Sequence, residues 1–338
     1  MKKIFASILF VFMVIMLSGC GSKGEKDILK NLSKKVDVEA YYLDGKLEIV
    51  NNEDSYQYDV EAAYKSKNNF RVSLKNKVNN HEQIILKNEE GVYVLTPSLN
   101  KSFKFQSEWP YNNSQSYLLH SIANDLKEDN SYTFEQKDNN YIFITKVNYP
   151  NNPNLVKEKI TLDKNLNLKE VSVLTKDNIP YIIFKVTSLD KKAIFADNYF
   201  LLETISKNLN EKNTTSEDSK TTLKIDEALF PLYLPSNTSL KNRETIKTDI
   251  GERVIMTFSG DNPFILVQET VAREKEFTTI PTSGTPYLLV DTVGALTNGS
   301  YTWISNGIEY YIVSDVMEQN ELLEVAKSIN VVPTMNEK

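Results

Sequence analysis

The sequence predicts an α+β protein: a large, curved antiparallel sheet of about eleven strands with covering helices, followed by a smaller α+β domain. Three observations carry this expectation. Residues 38–190 alternate apolar and polar side chains in run after run, the pattern of half-buried antiparallel strands. Apolar residues at helical spacing occur in a few short stretches, at 26–35, 114–126 and 319–329. Residues 206–222 carry almost no apolar side chain and are expected to be a linker between two domains.

The amino terminus is an export signal. Lys2 and Lys3 precede a largely apolar run of 14 residues ending at Leu17, and a small-residue site follows. A helix needs roughly 20 residues to cross a bilayer, so residues 1–19 read as a cleaved signal peptide and not as a permanent span. Leu17-Ser18-Gly19-Cys20 resembles the lipobox of bacterial lipoproteins. That resemblance implies diacylglycerol on the Cys20 sulfur, cleavage before Cys20, and a protein anchored through acyl chains on the extracytoplasmic face of the cell membrane. Two or more chains make such anchoring stable, because each buried CH₂ adds about 0.8 kcal/mol.

Residues 20–25 are small and polar and form the lipidated tether. A helix is expected over 26–35, where Ile28, Leu29, Leu32 and Val36 share a face. In the strand region, Tyr56, Tyr58, Val60, Ala62 and Tyr64 alternate with Gln57, Asp59, Glu61, Ala63 and Lys65. Further strands are expected at 41–50, 70–74, 82–87, 91–96, 102–106, 131–137, 141–148, 155–163, 167–175 and 181–188. Asn51-Asn52, Asn79-Asn80, Asn139-Asn140 and Lys164-Asn165 supply turn chemistry between them. Consecutive short connections make a meander, interrupted by one helical insert at Ser114–Leu126 with Leu118, Leu119, Ile122, Ala123 and Leu126 in one stripe. Two short helices cover little of so large a sheet, so its apolar face is expected to form a partly open trough. The domain so defined spans 26–205, and a second runs over 223–333. There, strands are expected at 229–234, 253–258, 264–270, 287–290, 301–305 and 308–313. Asn306-Gly307 makes a two-residue hairpin turn, and a helix closes the domain at 319–329.

Composition excludes several functions. Cleavage before Cys20 removes two lysines and takes the formal charge from −6 to about −8. Nucleic-acid binding needs clustered positive charge and is not expected, and the same acidic balance argues against a polybasic grip on anionic lipid. Cys20 is the only cysteine, so acylation leaves no thiol for disulfides, catalysis or metal binding. His81, after a turn and beside Glu82, has no activated nucleophile near it, and His120 lies at the edge of the insert helix. No phosphate loop is present among the 11 glycines. The expectation is a non-enzyme with no cofactor and no metal site. Aromatic side chains are the positive indication, since they suit amphipathic ligands or partner surfaces. Tyr58, Phe70, Tyr93, Phe103, Trp109, Leu118, Ile122, Tyr141 and Phe143 are the candidate lining of the trough, with Trp109-Pro110-Tyr111 either at its mouth or in a packed corner.

A helix, a meander, a mid-chain helix and a second meander over about 25–205 resemble the LolA-like family of lipoprotein carriers. Glu90-Gly91-Val92-Tyr93 followed by Pro97 is similar to that family's Asp-Gly-x-x-aromatic strand and its proline. Asn68-Asn69-Phe70-Arg71 stands where the carriers have an Arg-Pro pair, without the proline and with Lys65 as an upstream cation. The whole plan of lipobox, LolA-like half, polar linker and terminal domain with Trp303, Asn306-Gly307 and Tyr310-Tyr311 resembles sporulation lipoproteins of the YdcC type from Gram-positive spore formers. It is also similar to clostridial germination lipoproteins, which implies partnership with a cortex-modifying amidase. The resemblance implies a membrane-anchored binder of an amphipathic ligand or protein partner, with a lipid or lipoprotein chaperone as the alternative.

Overall fold

The computed structural model describes residues 24–329 apart from 37, 52–53, 67, 113, 151, 214–223, 226 and 290–291. The signal peptide, Cys20 and nearly all of its tether lie outside the described residues. Helix α1 (Glu25–Val36) leads into β1 (Ala40–Asn51), β2 (Asp54–Lys65), β3 (Asn69–Asn76), β4 (Glu82–Asn88), β5 (Gly91–Thr96) and β6 (Lys101–Phe105). Helix α2 (Leu119–Glu128) interrupts the meander, which resumes as β7 (Thr133–Lys137), β8 (Asn140–Lys146), β9 (Leu155–Asp163), β10 (Leu168–Thr175) and β11 (Pro180–Asp190). The eleven strands join one sheet in which β1 pairs with β11 at the centre.

Period two decides which side chains face inward. Leu43, Leu47, Val60, Val72, Phe143, Ile160, Val171 and Phe184 are all buried in one core. Helix α1 adds Ile28 and Leu32, and α2 adds Leu119, Ile122 and Leu126. Gly45 has a steric reason: a Cβ there would sit 2.4 Å from the Phe184 ring and 2.8 Å from the Lys185 carbonyl oxygen. The missing side chain lets an aromatic ring cross β1 where the β1–β11 register shifts.

The outer face is also covered. Helix α3 (Leu202–Asn213) lays Ile205 and Leu209 against Ala63, Ile84, Leu86, Tyr93 and Leu95. The expected linker is therefore helical over 206–213, and the rest of it, 214–222, lies outside the described residues. A single narrow stripe at i, i+3 and i+7 is enough here, because a matching apolar strip already exists on the sheet.

The carboxyl-terminal part builds a second sheet from β12 (Thr238–Lys247), β13 (Glu252–Gly260), β14 (Phe264–Thr270), β16 (Thr285–Leu288), β17 (Val293–Leu296), β18 (Ser300–Ser305) and β19 (Ile308–Val313). The order is β12-β13-β14-β19-β18-β17-β16, antiparallel throughout. Asn306 and Gly307 turn the β18–β19 hairpin with φ of 49° and 76°, the mirror-image turn that two-residue hairpins need. Helix α4 (Gln319–Lys327) packs on β18 and β19 through Leu322, Leu323, Val325 and Ala326.

Two expectations fail in this half. Residues 229–234 form no strand, because Pro231 lacks an N–H and the segment is instead tied by single contacts: Gln268 brackets Leu229, and the Leu232 N–H donates to the Ser328 carbonyl. The strand lies just beyond, as β12, an edge strand whose side chains are nearly all exposed. Strand β15 (Thr278–Thr282) leaves the second half altogether and pairs in parallel with β6, placing Ile280 opposite Phe103 and making the first sheet twelve-stranded. Residues of both sheets share one contiguous hydrophobic core.

Candidate functional site

The expected trough is largely filled by the chain itself. Tyr58, Phe70, Trp109, Leu118, Ile122, Tyr141 and Phe143 come together in the shared core and are buried. Tyr93 does not join them. Val92 and Val94 point inward on β5, so Tyr93 points out and packs beneath α3. Phe103 is half-buried against Leu99, Val271 and Ile304. What remains open is small. One cavity of about 60 Å³ touches Trp109, Tyr117, Tyr149, Ile182 and Tyr287. A second, about 160 Å³, lies between the sheets; Phe103, Phe105, Ile280, Trp303 and Ile304 are among its lining, and Gln83, Glu309 and three threonines, Thr96, Thr282 and Thr302, are its polar members. A dry apolar cavity of about 150 Å³ takes a benzene-sized guest, far short of a whole acyl chain.

The mouth is closed by rings. Tyr64 stacks 5.4 Å from Tyr41 and lies 4.0 Å from His120 and 4.9 Å from Phe70, centroid to centroid. Phe70 meets Trp109 at 6.1 Å and Tyr111 at 6.2 Å, both edge-on. Trp109 is thus a packed corner, while Tyr111 is exposed and donates its hydroxyl to Asn68 Oδ1 at 2.7 Å. His120 belongs to this aromatic cluster. His81 is half-buried in its turn, and burial lowers its pKa.

Two carboxyls sit where no acid was expected. Glu158 projects inward from β9 and is fully buried, with neither carboxyl oxygen hydrogen-bonded among the described residues. Burial, reinforced by Asp125 of α2, raises its pKa far above the usual carboxylate range. Asp125 is itself pushed up to about 6, chiefly by burial. Among the described residues no three His, Cys, Asp or Glu side chains are grouped to hold a metal ion. None of the described helices is long and apolar enough to cross a membrane.

An open apolar surface lies on the second sheet. Ile255 of β13, Val267 of β14 and Tyr311 of β19 stand in direct register across three strands. Ile265 and Val313 form the next row. Ile265 and Tyr311 are 39% and 37% exposed, large values for residues at the middle of a sheet face. Arg253 closes one side of the patch, its Nη2 and Nε at 2.7 and 2.8 Å from Glu269 Oε2, with Glu309 opposite Glu269. The alternation argument missed these residues, although the unbroken apolar runs 254–256 and 264–267 do indicate strands with two apolar faces.

Fold and surface together define a class: an α+β protein in which a large curved antiparallel sheet is filled from within and a second sheet carries an exposed apolar face. No family model matches the chain. It is 34% identical over 328 residues to sporulation protein YdcC of Bacillus subtilis (strain 168), covering 94% of this chain and 93% of the relative. The chain belongs to the YdcC family of sporulation proteins. At the level of fold it is similar to a LolA superfamily protein from Nitrosomonas europaea, with 10% identity and a TM-score of 0.32 over 54% of this chain and 100% of the other. It is likewise similar to a chain of the complex between the CwlD amidase and the GerS lipoprotein of Clostridioides difficile, with 14% identity and a TM-score of 0.22 over 52% of this chain and 98% of the other.

Proposed function

We propose that the protein is a non-catalytic sporulation lipoprotein, anchored through Cys20 on the extracytoplasmic face of the membrane, that works by docking a protein partner. The row Ile255–Val267–Tyr311 carries this reading, since an exposed apolar sheet face bordered on one side by charge, held rigid by its backbone ladders, suits a protein surface better than a small ligand. The cortex amidase implied by the sequence resemblance is the first partner to try. Gel filtration of the two purified proteins is expected to give a complex that Tyr311→Glu with Ile265→Asp abolishes while the circular dichroism spectrum stays native. A clean pull-down from sporulating cells with no stoichiometric protein overturns the reading. Cys20→Ala is expected to release the protein from membranes.

A second reading, a lipid or lipoprotein chaperone, is favoured by the cavity between Phe103 and Trp303. In it, Phe103, Trp109 and Ile122 are the trough residues that still line a cavity. Organic extraction of the purified protein followed by mass spectrometry separates the two, since only the chaperone co-purifies with stoichiometric lipid.

A further inference from the structure

Helix α1 carries charges that the core does not explain. Lys26, Lys30 and Lys34 recur every four residues, so they climb one exposed side of the helix, away from buried Ile28 and Leu32. None of the three is in an ion pair among the described residues. The basic surface continues at the carboxyl end. Lys35 donates to the Asn165 carbonyl, and both Lys35 and Lys191 lie beside Asp163, with Lys164 exposed in the same turn. Against it stand Glu25 and Asp27 in the first turn of α1. On a chain of net charge −6, this is a local inversion of sign.

Where the stripe sits in the chain says what it faces. Four residues separate Cys20 from Glu25, and extended chain spans at most about 3.6 Å per step, so the start of α1 lies within about 18 Å of the Cys20 backbone that carries the acylated sulfur. Fields from an anionic surface act over a Debye length of about 8–10 Å, and a lysine side chain closes much of the remaining gap. We propose that α1 lies against the bilayer with Lys26, Lys30 and Lys34 on the phosphates of anionic lipids. The proposal rests on acylation of Cys20. It also sets the orientation of the molecule. Tyr132, just ahead of edge strand β7, bonds to Glu25, whereas the second half meets the first at β6 through β15, at β4 through Gln83 and Val293, and at the start of β11, where Lys327 lies over the Tyr181 ring. Laying α1 on the membrane therefore turns the β7 end toward lipid and keeps the second sheet clear for its partner.

The test uses the full lipidated protein in vesicles. A fluorophore is placed on the thiol of Ser33→Cys in α1 or, as control, of Asn306→Cys in the β18–β19 turn. Lipids carrying a quencher are mixed into phosphatidylglycerol-containing or pure phosphatidylcholine vesicles. The Ser33 probe is expected to be quenched with phosphatidylglycerol at low salt and the Asn306 probe not. Each lysine at an anionic surface contributes about fivefold, so Lys26→Gln, Lys30→Gln and Lys34→Gln together are expected to lower the docked-to-free ratio about 100-fold and remove its salt dependence. Equal quenching in both vesicle types, or quenching unmoved by the triple change, overturns the proposal. So does loss of a bound acidic protein, without loss of quenching, in the triple variant. Failure of the anchor is seen separately, as Cys20 labelled by the fluorophore and protein that no longer floats with the vesicles.

Discussion

The side-chain amide of Gln83 pairs with the backbone of Val293 as a neighbouring strand would. Its Nε2 donates to the Val293 carbonyl at 2.9 Å, and its Oε1 accepts from the Val293 N–H at 2.6 Å. The contact is buried and joins β4 of the first sheet to β17 of the second. Gln83→Leu keeps the bulk but orphans both backbone groups, each at about 1–3 kcal/mol. The expected outcome is a loss of roughly 2–5 kcal/mol in urea unfolding, with faster amide exchange at Val293 than elsewhere in β17.

Gly45 and Phe184 occupy one site between them. Gly45→Ala drives a methyl group into the ring and the Lys185 carbonyl, and overpacking of this kind costs about 1–3 kcal/mol or more. Adding Phe184→Leu removes the ring half of the clash, so the penalty of Gly45→Ala is expected to shrink in the double variant. Thermal unfolding of the four proteins in the cycle measures that coupling.

Glu158 and Asp125 make stability fall as pH rises. Both have folded pKa values raised above those of the unfolded chain, so the native state holds more protons between the two values. Their neutral forms are tolerated below about pH 4, and the loss sets in as pH climbs toward about 6 for Asp125 and continues higher for Glu158. Each unit of upward shift corresponds to about 1.4 kcal/mol at pH above the folded value. Glu158→Gln is expected to raise the melting temperature at pH 7–8, leave it nearly unchanged at pH 4, and flatten the slope between. A variant whose pH profile matches the parent's refutes this account.

Helix α3 holds on by few side chains. Ile205→Ala or Leu209→Ala removes buried aliphatic area from the outer face and is expected to cost about 2–4 kcal/mol locally. Limited proteolysis reads it directly, as faster cleavage within 202–213 while the strands stay protected.

Alternation made most of the first eleven strands readable, because one face is buried and the other wet; β4 and β5 are buried on both faces and read instead as short unbroken apolar runs. The strong stripe of Leu119, Ile122 and Leu126 did the same for α2, and Asn306-Gly307 for the last hairpin. What resisted reading depended on distant partners. The α3 stripe is short within a polar segment and makes sense only beside the apolar strip on Ala63, Ile84 and Leu86. Strand β12 is polar because it is an edge, and the apolar segment beside it, broken by Pro231 and Pro235, imitates a strand without being able to pair as one. The trough failed as an open groove for a related reason. Two short helices are too little to cover so large a sheet, but the second sheet adds Trp303, Tyr301 and Tyr310 to the same core.

Strand β15 reaches back about 175 residues in sequence to lie along β6, pairing Thr278 with Lys101 and Thr282 with Phe105. A ribosome that has delivered everything up to α3 has therefore made a sheet whose border at Lys101–Phe105 still displays bare amides and carbonyls. Until the rest of the polypeptide arrives, that border is a template for any stray extended segment, including the same border on a sister molecule. Cutting the gene at the polar stretch to isolate the first half would freeze the molecule in that condition, and a sticky, self-associating fragment is the product to expect.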